Sequence, residues 1–344
     1  MEKRKGYPAG IAAGIAMFML ILDTKTAVGG AKEAISLCFQ TIIPSLFPFF
    51  ILSGIINSYI LGTRSPVLRP LGRLCKIPRG CESLLLLGLI AGYPVGAQLI
   101  AKSCKDGALT RKNAGRLLGF CNNAGPAFLF GMLSPLFDNP IAPWLLWAVH
   151  ITAAIIIGCI LPIEESNQCD IRRATPVTLS QSLQSAIKTM ATVCGWVTAF
   201  RIVIAFCERW FLWRFPNVFR VLFTGMLELS NGCVMLKDIP NEGVRFLLAG
   251  ILLAGGGLCV GMQTKSVTEG VGTGLYFPGK LLHICLSAIM ILPLLPIMFP
   301  DGGFASLPLT IIGVSLFTGA LLLVILRGKK VVAINRRMMY NTGS

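Results

Sequence analysis

Histidine is almost absent from this chain. His150 and His283 are the two in 344 residues, so a Cys/His metal centre has little to build with, and no HExxH stands in the sequence. No GxxxxGK[ST] loop or GxSxG elbow occurs either, which removes a nucleotide motor and the common serine-hydrolase nucleophile. Charge is scarce, 13% of residues against 54% hydrophobic, and that balance excludes an ordinary soluble domain. The twelve cysteines never fall in a CxxC spacing and lie singly, mostly inside apolar runs. They are read as small buried hydrophobes, not as a disulfide framework. With no paired carboxylates, no Ser/His pair and no metal cluster, an enzyme is not expected, and no cofactor is expected.

What the chain does have is length of apolar sequence. Runs from Ala9 to Leu22, Ala34 to Ile60, Leu84 to Ala101, Ala114 to Leu133 and Pro143 to Pro162 precede a polar stretch that holds Glu164, Glu165, Asp170, Arg172 and Arg173. Further runs follow from Leu183 to Cys207, Val218 to Leu236, Val244 to Gln263, Lys280 to Phe299 and Ser306 to Leu326. Runs of this kind can cross about 30 Å of hydrocarbon. The first is short and follows Lys3-Arg4-Lys5. It reads as an uncleaved anchor, with a cleaved signal peptide as the alternative. The formal net charge is +16, but Lys and Arg sit in short connections between apolar runs, as the positive-inside rule asks of cytoplasmic loops. Membrane lipid is therefore the expected surroundings, and a nucleic-acid partner is not expected.

If every run spans the membrane, the basic residues divide poorly between its two sides. The run from Leu84 to Ala101 is the worst case. Arg64, Arg69, Arg73, Lys76 and Arg79 precede it, and Lys102, Lys105, Arg111, Lys112 and Arg116 follow it. Both flanks favour the cytoplasm. A re-entrant hairpin turning at Gly92-Tyr93-Pro94, with a second hairpin from Val218 to Leu236 open to the opposite side, restores the asymmetry. The expected fold class is an all-α polytopic membrane protein, an inverted repeat with two re-entrant hairpins and about eight transmembrane helices. Its parts are an anchor helix (1–33), a first repeat of helix, hairpin and two helices (34–162), and a polar connection (163–182). A second, inverted repeat (183–300), then a last helix with a basic cytoplasmic tail (301–344), complete it. Gly125, Gly131 and Met132 of the first half align with Gly255, Gly261 and Met262 of the second.

Irregular backbone at membrane depth survives only where protein buries it or a polar cavity faces it, because an unsatisfied N–H or C=O in lipid costs several kcal/mol. Discontinuous helices at a repeat interface are where secondary transporters hold solute and coupling ion. The candidate substrate-binding residues lie on four such elements. Hairpin one supplies Gly92, Tyr93, Pro94 and Gly96; the next helix supplies Asn122, Asn123, Gly125 and Pro126. Hairpin two supplies Glu228, Ser230, Asn231 and Gly232, and the glycine-rich helix after it Gly256 and Gln263. These groups suit a small polar ligand, with Tyr93, Phe120 or Phe128 available to stack on a ring. Arg201 is expected to snorkel, and His150 to be a satisfied interior histidine.

Ala91-Gly92-Tyr93-Pro94-Val95-Gly96-Ala97, Asn122-Asn123-Ala124-Gly125-Pro126, Leu227-Glu228-Leu229-Ser230-Asn231-Gly232 and the stretch from Gly255 to Gln263 together resemble the sporulation integral membrane proteins of the YlbJ type. These belong to the nucleoside-recognition (Gate) group, similar in architecture to concentrative nucleoside transporters. The resemblance implies a multi-pass protein of the mother-cell-derived outer forespore membrane that moves dipicolinate, a small aromatic anion. No concentrated cationic pocket is legible at depth, so a neutral nucleoside-like solute stays open, as do a non-transporting assembly role, a homo-oligomer and a coupling ion, sodium or proton.

Overall fold

The computed structural model describes residues 7–60, 63, 65–162 and 176–300. The last apolar run and basic tail (301–344), most of the polar connection (163–175) and Arg64 lie outside the described residues.

All regular structure among the described residues is helical. α1 (Tyr7–Leu22) and α2 (Thr24–Leu37) are separated at Asp23, whose carboxylate accepts from Thr26 N at 3.1 Å and caps α2. α2 continues through a π turn (Cys38–Ile42) into α3 (Ile43–Ile60). Pro44 has no N–H to offer the Gln40 carbonyl, and the wider π turn lies where that bond is missing. The outcome is one rod, Thr24–Ile60, of 37 residues.

After α4 (Arg69–Leu74), α5 (Glu82–Ile90) and α6 (Val95–Lys105) pack against each other across a break at Ala91–Pro94. Gly92 takes φ +80 and the Tyr93–Pro94 bond is cis. Only glycine adopts that φ without strain. α7 (Arg111–Leu118) starts at Thr110, whose hydroxyl accepts from Asn113 N. The run from Ala114 to Leu133 is not one helix. It stops at Gly119, unwinds through Gly125, and resumes as α8 (Pro126–Phe128) with a π turn (Leu129–Leu133) and a 3₁₀ turn (Ser134–Leu136).

α9 (Ala142–Ile160) is uninterrupted. α10 (Leu179–Trp210) begins in a capping box, Thr178 with Gln181, and packs along α2 and α3. α11 (Asn217–Leu227) and α12 (Leu229–Met235) meet at Glu228, which is extended. α13 (Glu242–Gly255) and α14 (Gly257–Val267) meet at Gly256, φ +71. α15 (Tyr276–Ile291) ends in a 3₁₀ turn (Leu292–Leu294) and α16 (Leu295–Met298).

Five of these stretches are long and apolar enough to cross a membrane: Thr24–Ile60, Ala142–Ile160, Leu179–Trp210, Glu242–Val267 and Tyr276–Met298. Gly10–Leu22, Pro126–Leu136 and Asn217–Leu227 are apolar but shorter. Large apolar side chains such as Phe18, Ile21, Ile187 and Leu281 point outward, while Asn122, Asn123, Lys280 and His283 are buried. That inversion suits a lipid exterior, and the protein is an integral multi-pass membrane protein. The broken elements face one another. α6 lies against α14, and α12 against both α14 and the π turn at Leu129–Leu133.

Candidate solute site

Close backbone approach makes the site. A Cβ on Gly88 or Gly96 would overlap the Cys121 carbonyl oxygen, and one on Gly125 would meet Ile90 O at 2.7 Å. The α5–α6 break therefore rests directly on the unwound chain before α8, with Asn123 N donating to Gly88 O at 3.3 Å. In the second half Gly232 rests on Gly225, and a Cβ on Gly257 would meet Gly225 O at 2.7 Å. Pro126 begins α8 at a position where its missing N–H costs nothing, and Pro94 caps α6.

Glu228 closes the α11–α12 break electrostatically. It is 1% exposed, and its two oxygens accept from Ser230 N (3.1 Å), Asn231 N (2.7 Å) and Asn231 Nδ2 (2.6 Å). A carboxylate on the first N–H groups of a helix is a stabilised anion, so Glu228 is the N-cap of α12. Asn122 is also engaged, Oδ1 accepting from Ala97 N at 3.2 Å and Nδ2 donating to Thr264 Oγ1 at 2.9 Å.

A residue that sequence reasoning missed stands behind Tyr93, outside the cavity lining. Lys280 is 4% exposed. Its Nζ donates to Asn123 Oδ1 at 3.0 Å, lies 3.4 Å from Tyr93 Oη, and stands 5.0 Å from the centre of the Tyr93 ring. Tyr93 Oη itself donates to Leu253 O at 2.9 Å, and Gly256 lies against the phenol. No carboxylate pairs with Lys280 among the described residues. Placing Lys280 at the edge of an apolar run hid its depth, because α15 starts one turn earlier, at Tyr276. The available signal was a polar stripe, Lys280, His283 and Ser287, spaced three and four apart on an apolar helix.

Gly92, Tyr93, Gly125, Glu228, Ser230 and Gln263 line one cavity of about 30 Å³, closed on its other sides by Ile42, Leu46, Phe128, Val193, Val197, Leu229 and Val260. That is room for one or two waters. Asn122, Asn123, Gly96 and Gly232 serve the surrounding backbone contacts instead, and Asn231 is bound to Glu228. Arg201 lies on α10. It pairs with Glu33 and with Glu208, the latter at 3.0 Å. His150 is buried, but neither ring nitrogen has a partner among the described residues.

No family model matches the chain, and no solved structure matches it. Where a curated protein does align, the match covers 42% of this chain and 38% of that protein, so the chain is aligned with well under half of its relative's length. Over those 154 residues, at 31% identity, the chain is similar to the sporulation integral membrane protein YlbJ of Bacillus subtilis (strain 168).

Proposed function

We propose that this protein is a sporulation membrane carrier of the YlbJ type that moves a small aromatic anion, dipicolinate, by alternating access in the outer forespore membrane. In this reading α5–α6 and α11–α12 are re-entrant hairpins from opposite faces, and 34–162 and 183–300 are inverted halves. The observation that carries it is Lys280. An ammonium group buried without a carboxylate costs several kcal/mol, a cost that a binding protein recovers when an anionic ligand arrives. Tyr93 beside it offers an aromatic face for the ring of such a ligand. The present cavity is too small for a pyridine dicarboxylate, so the reading requires the hairpin breaks to separate from α14 and α15 when the solute enters.

Purified protein in liposomes should take up labelled dipicolinate, and Lys280→Met should abolish uptake while the protein stays folded in detergent. Uptake unchanged by Lys280→Met would overturn the site. Stabilisation of the wild type by nucleosides and not by dipicolinate, read as a thermal shift, would replace the anion with a neutral solute.

A further inference from the structure

One helical turn beyond Lys280 on α15, His283 stacks on His150 of α9, ring centres 4.4 Å apart and planes 22° from parallel. His283 is fully buried and His150 is 2% exposed. His283 Nε2 lies 3.0 Å from the His150 carbonyl oxygen. A carbonyl can only accept, so Nε2 carries the hydrogen and Nδ1 is left with a lone pair. That Nδ1 has no partner among the described residues, nor do His150 Nδ1 and Nε2, nor Ser287 Oγ one turn further along α15, nor Trp147 Nε1 one turn back on α9. Buried polar groups are nearly always hydrogen-bonded, so five unpartnered atoms along one helix seam is a concentration that packing alone does not explain.

We infer that the His150–His283 pair is a proton-binding site that loads together with the solute, so that the carrier moves about one proton with each dianion. The inference rests on the solute reading above and deepens it by charge arithmetic. A dicarboxylate brings two negative charges, and Lys280 supplies one positive charge. The other ionisable or charged groups around the pair do not supply a second. α13 contributes only apolar residues and glycine beyond Arg245, and Arg245 with Glu242 is engaged near Leu136 and Asp138 at the far end. From α7, the Arg116 guanidinium is spent on the carbonyls of Cys75, Gly158 and Leu161. Beside Lys280, Tyr93, Tyr276 and Cys121 become anionic rather than cationic when they titrate, and the Glu228 carboxylate on the cavity that Tyr93 lines is already answered by the N–H groups of its own turn.

The missing charge is therefore a proton taken from water onto a lone pair of the stack, at His283 Nδ1 or at a His150 nitrogen, converting one imidazole to imidazolium and returning to water on release. Without the solute this proton would stand close to the Lys280 ammonium in a dry interior, and repulsion keeps it out. With the dianion bound, attraction draws it in. Two imidazoles this close accept the proton as a unit, and one charge on the stack opposes a second.

Because the chain holds two histidines in all, protein labelled with ¹⁵N-histidine, purified through a histidine-free tag and placed in nanodiscs, gives both imidazoles without overlap. At about pH 6.5, dipicolinate should convert the spectrum from two neutral rings to one imidazolium per protein shared between both signals. In liposomes holding a pH-sensitive dye, dipicolinate entry should carry about one proton per solute, and His283→Gln or His150→Gln should abolish that coupled proton movement. Two neutral imidazoles in the dipicolinate-bound wild type overturn the inference while leaving the solute reading intact. If dipicolinate neither binds nor moves, the solute reading fails by itself. Acid titration then decides on the pair: with the ammonium removed in Lys280→Met, the rings should take up one shared proton at a higher pH than in the wild type, and identical titration of the two proteins rejects it.

Discussion

Asn122 and Thr264 meet across the molecule, Asn122 Nδ2 donating to Thr264 Oγ1 at 2.9 Å. Both are fully buried. Since Asn122 Oδ1 also takes Ala97 N, one amide ties the unwound chain before α8 to α6 and to α14. Thr264→Val keeps the shape and removes the acceptor, leaving a buried N–H unpaired at about 1–3 kcal/mol. Asn122→Ala should be at least as costly, because it also frees Ala97 N near the start of α6. Thermal unfolding in detergent should rank wild type above Thr264→Val, with Asn122→Ala no better than Thr264→Val. Equal melting of all three proteins would remove the tie.

The breaks in this fold are local events, and local signals report them. Gly92 with Pro94, Asn122 through Pro126, Glu228 and Gly256 were all legible as interruptions, because glycine frees the backbone and proline removes a donor wherever they stand. Depth and partnership were not legible. Lys280 reads as the polar end of an apolar run until the start of α15 is known. His150 and His283 stand 133 positions apart, a contact that no spacing rule reports. Thr24 to Glu33 looks too polar to extend the rod of α2 and α3, but Glu33 is answered by Arg201 from α10, a partner invisible within the segment.

Glycines at the backbone crossings should be intolerant, and glycines on open helix faces should not. Alanine at Gly96 overlaps the Cys121 carbonyl oxygen and alanine at Gly232 overlaps Gly225, in both cases backbone that cannot swing aside. Each should lower stability by about 3 kcal/mol or more, read as loss of a monodisperse peak on size exclusion after mild heating. Gly195 in α10 has nothing within 4 Å of an added Cβ, so Gly195→Ala should gain about 0.5–1 kcal/mol from helix propensity. Indifference at Gly96 would mean that α6 and the unwound chain do not touch.

Glu228 makes a different prediction because its three bonds are all to its own turn. Glu228→Gln keeps one oxygen in place and loses the charged acceptor, a cost of about 1–2 kcal/mol. Glu228→Ala leaves the α12 N-terminus bare and should cost on the order of 3 kcal/mol. Unfolding should therefore rank wild type, then Gln, then Ala. If Glu228 were instead a solute ligand with no capping role, Gln would match the wild type in stability and differ from it in solute affinity.

The hairpin reading of α5–α6 makes a prediction about sides. Val67, before α4, and Asp106, just after α6, are both exposed, and the whole α5–α6 pair lies between them. If α5–α6 enters and leaves by one face, single cysteines at the two positions, in a background with the native cysteines replaced, react with a membrane-impermeant maleimide from the same side of intact cells or vesicles. A pair of α5–α6 length cannot be two full crossings. α5 has 9 residues and α6 has 11, about 14 and 17 Å of helix at 1.5 Å per residue, each near half of the hydrocarbon thickness. Joined end to end they would just span it, but the two helices pack against each other instead. Labelling from opposite sides would require them to straighten into one rod, which Gly92 and Pro94 oppose and which would undo the packing of α5 on α6.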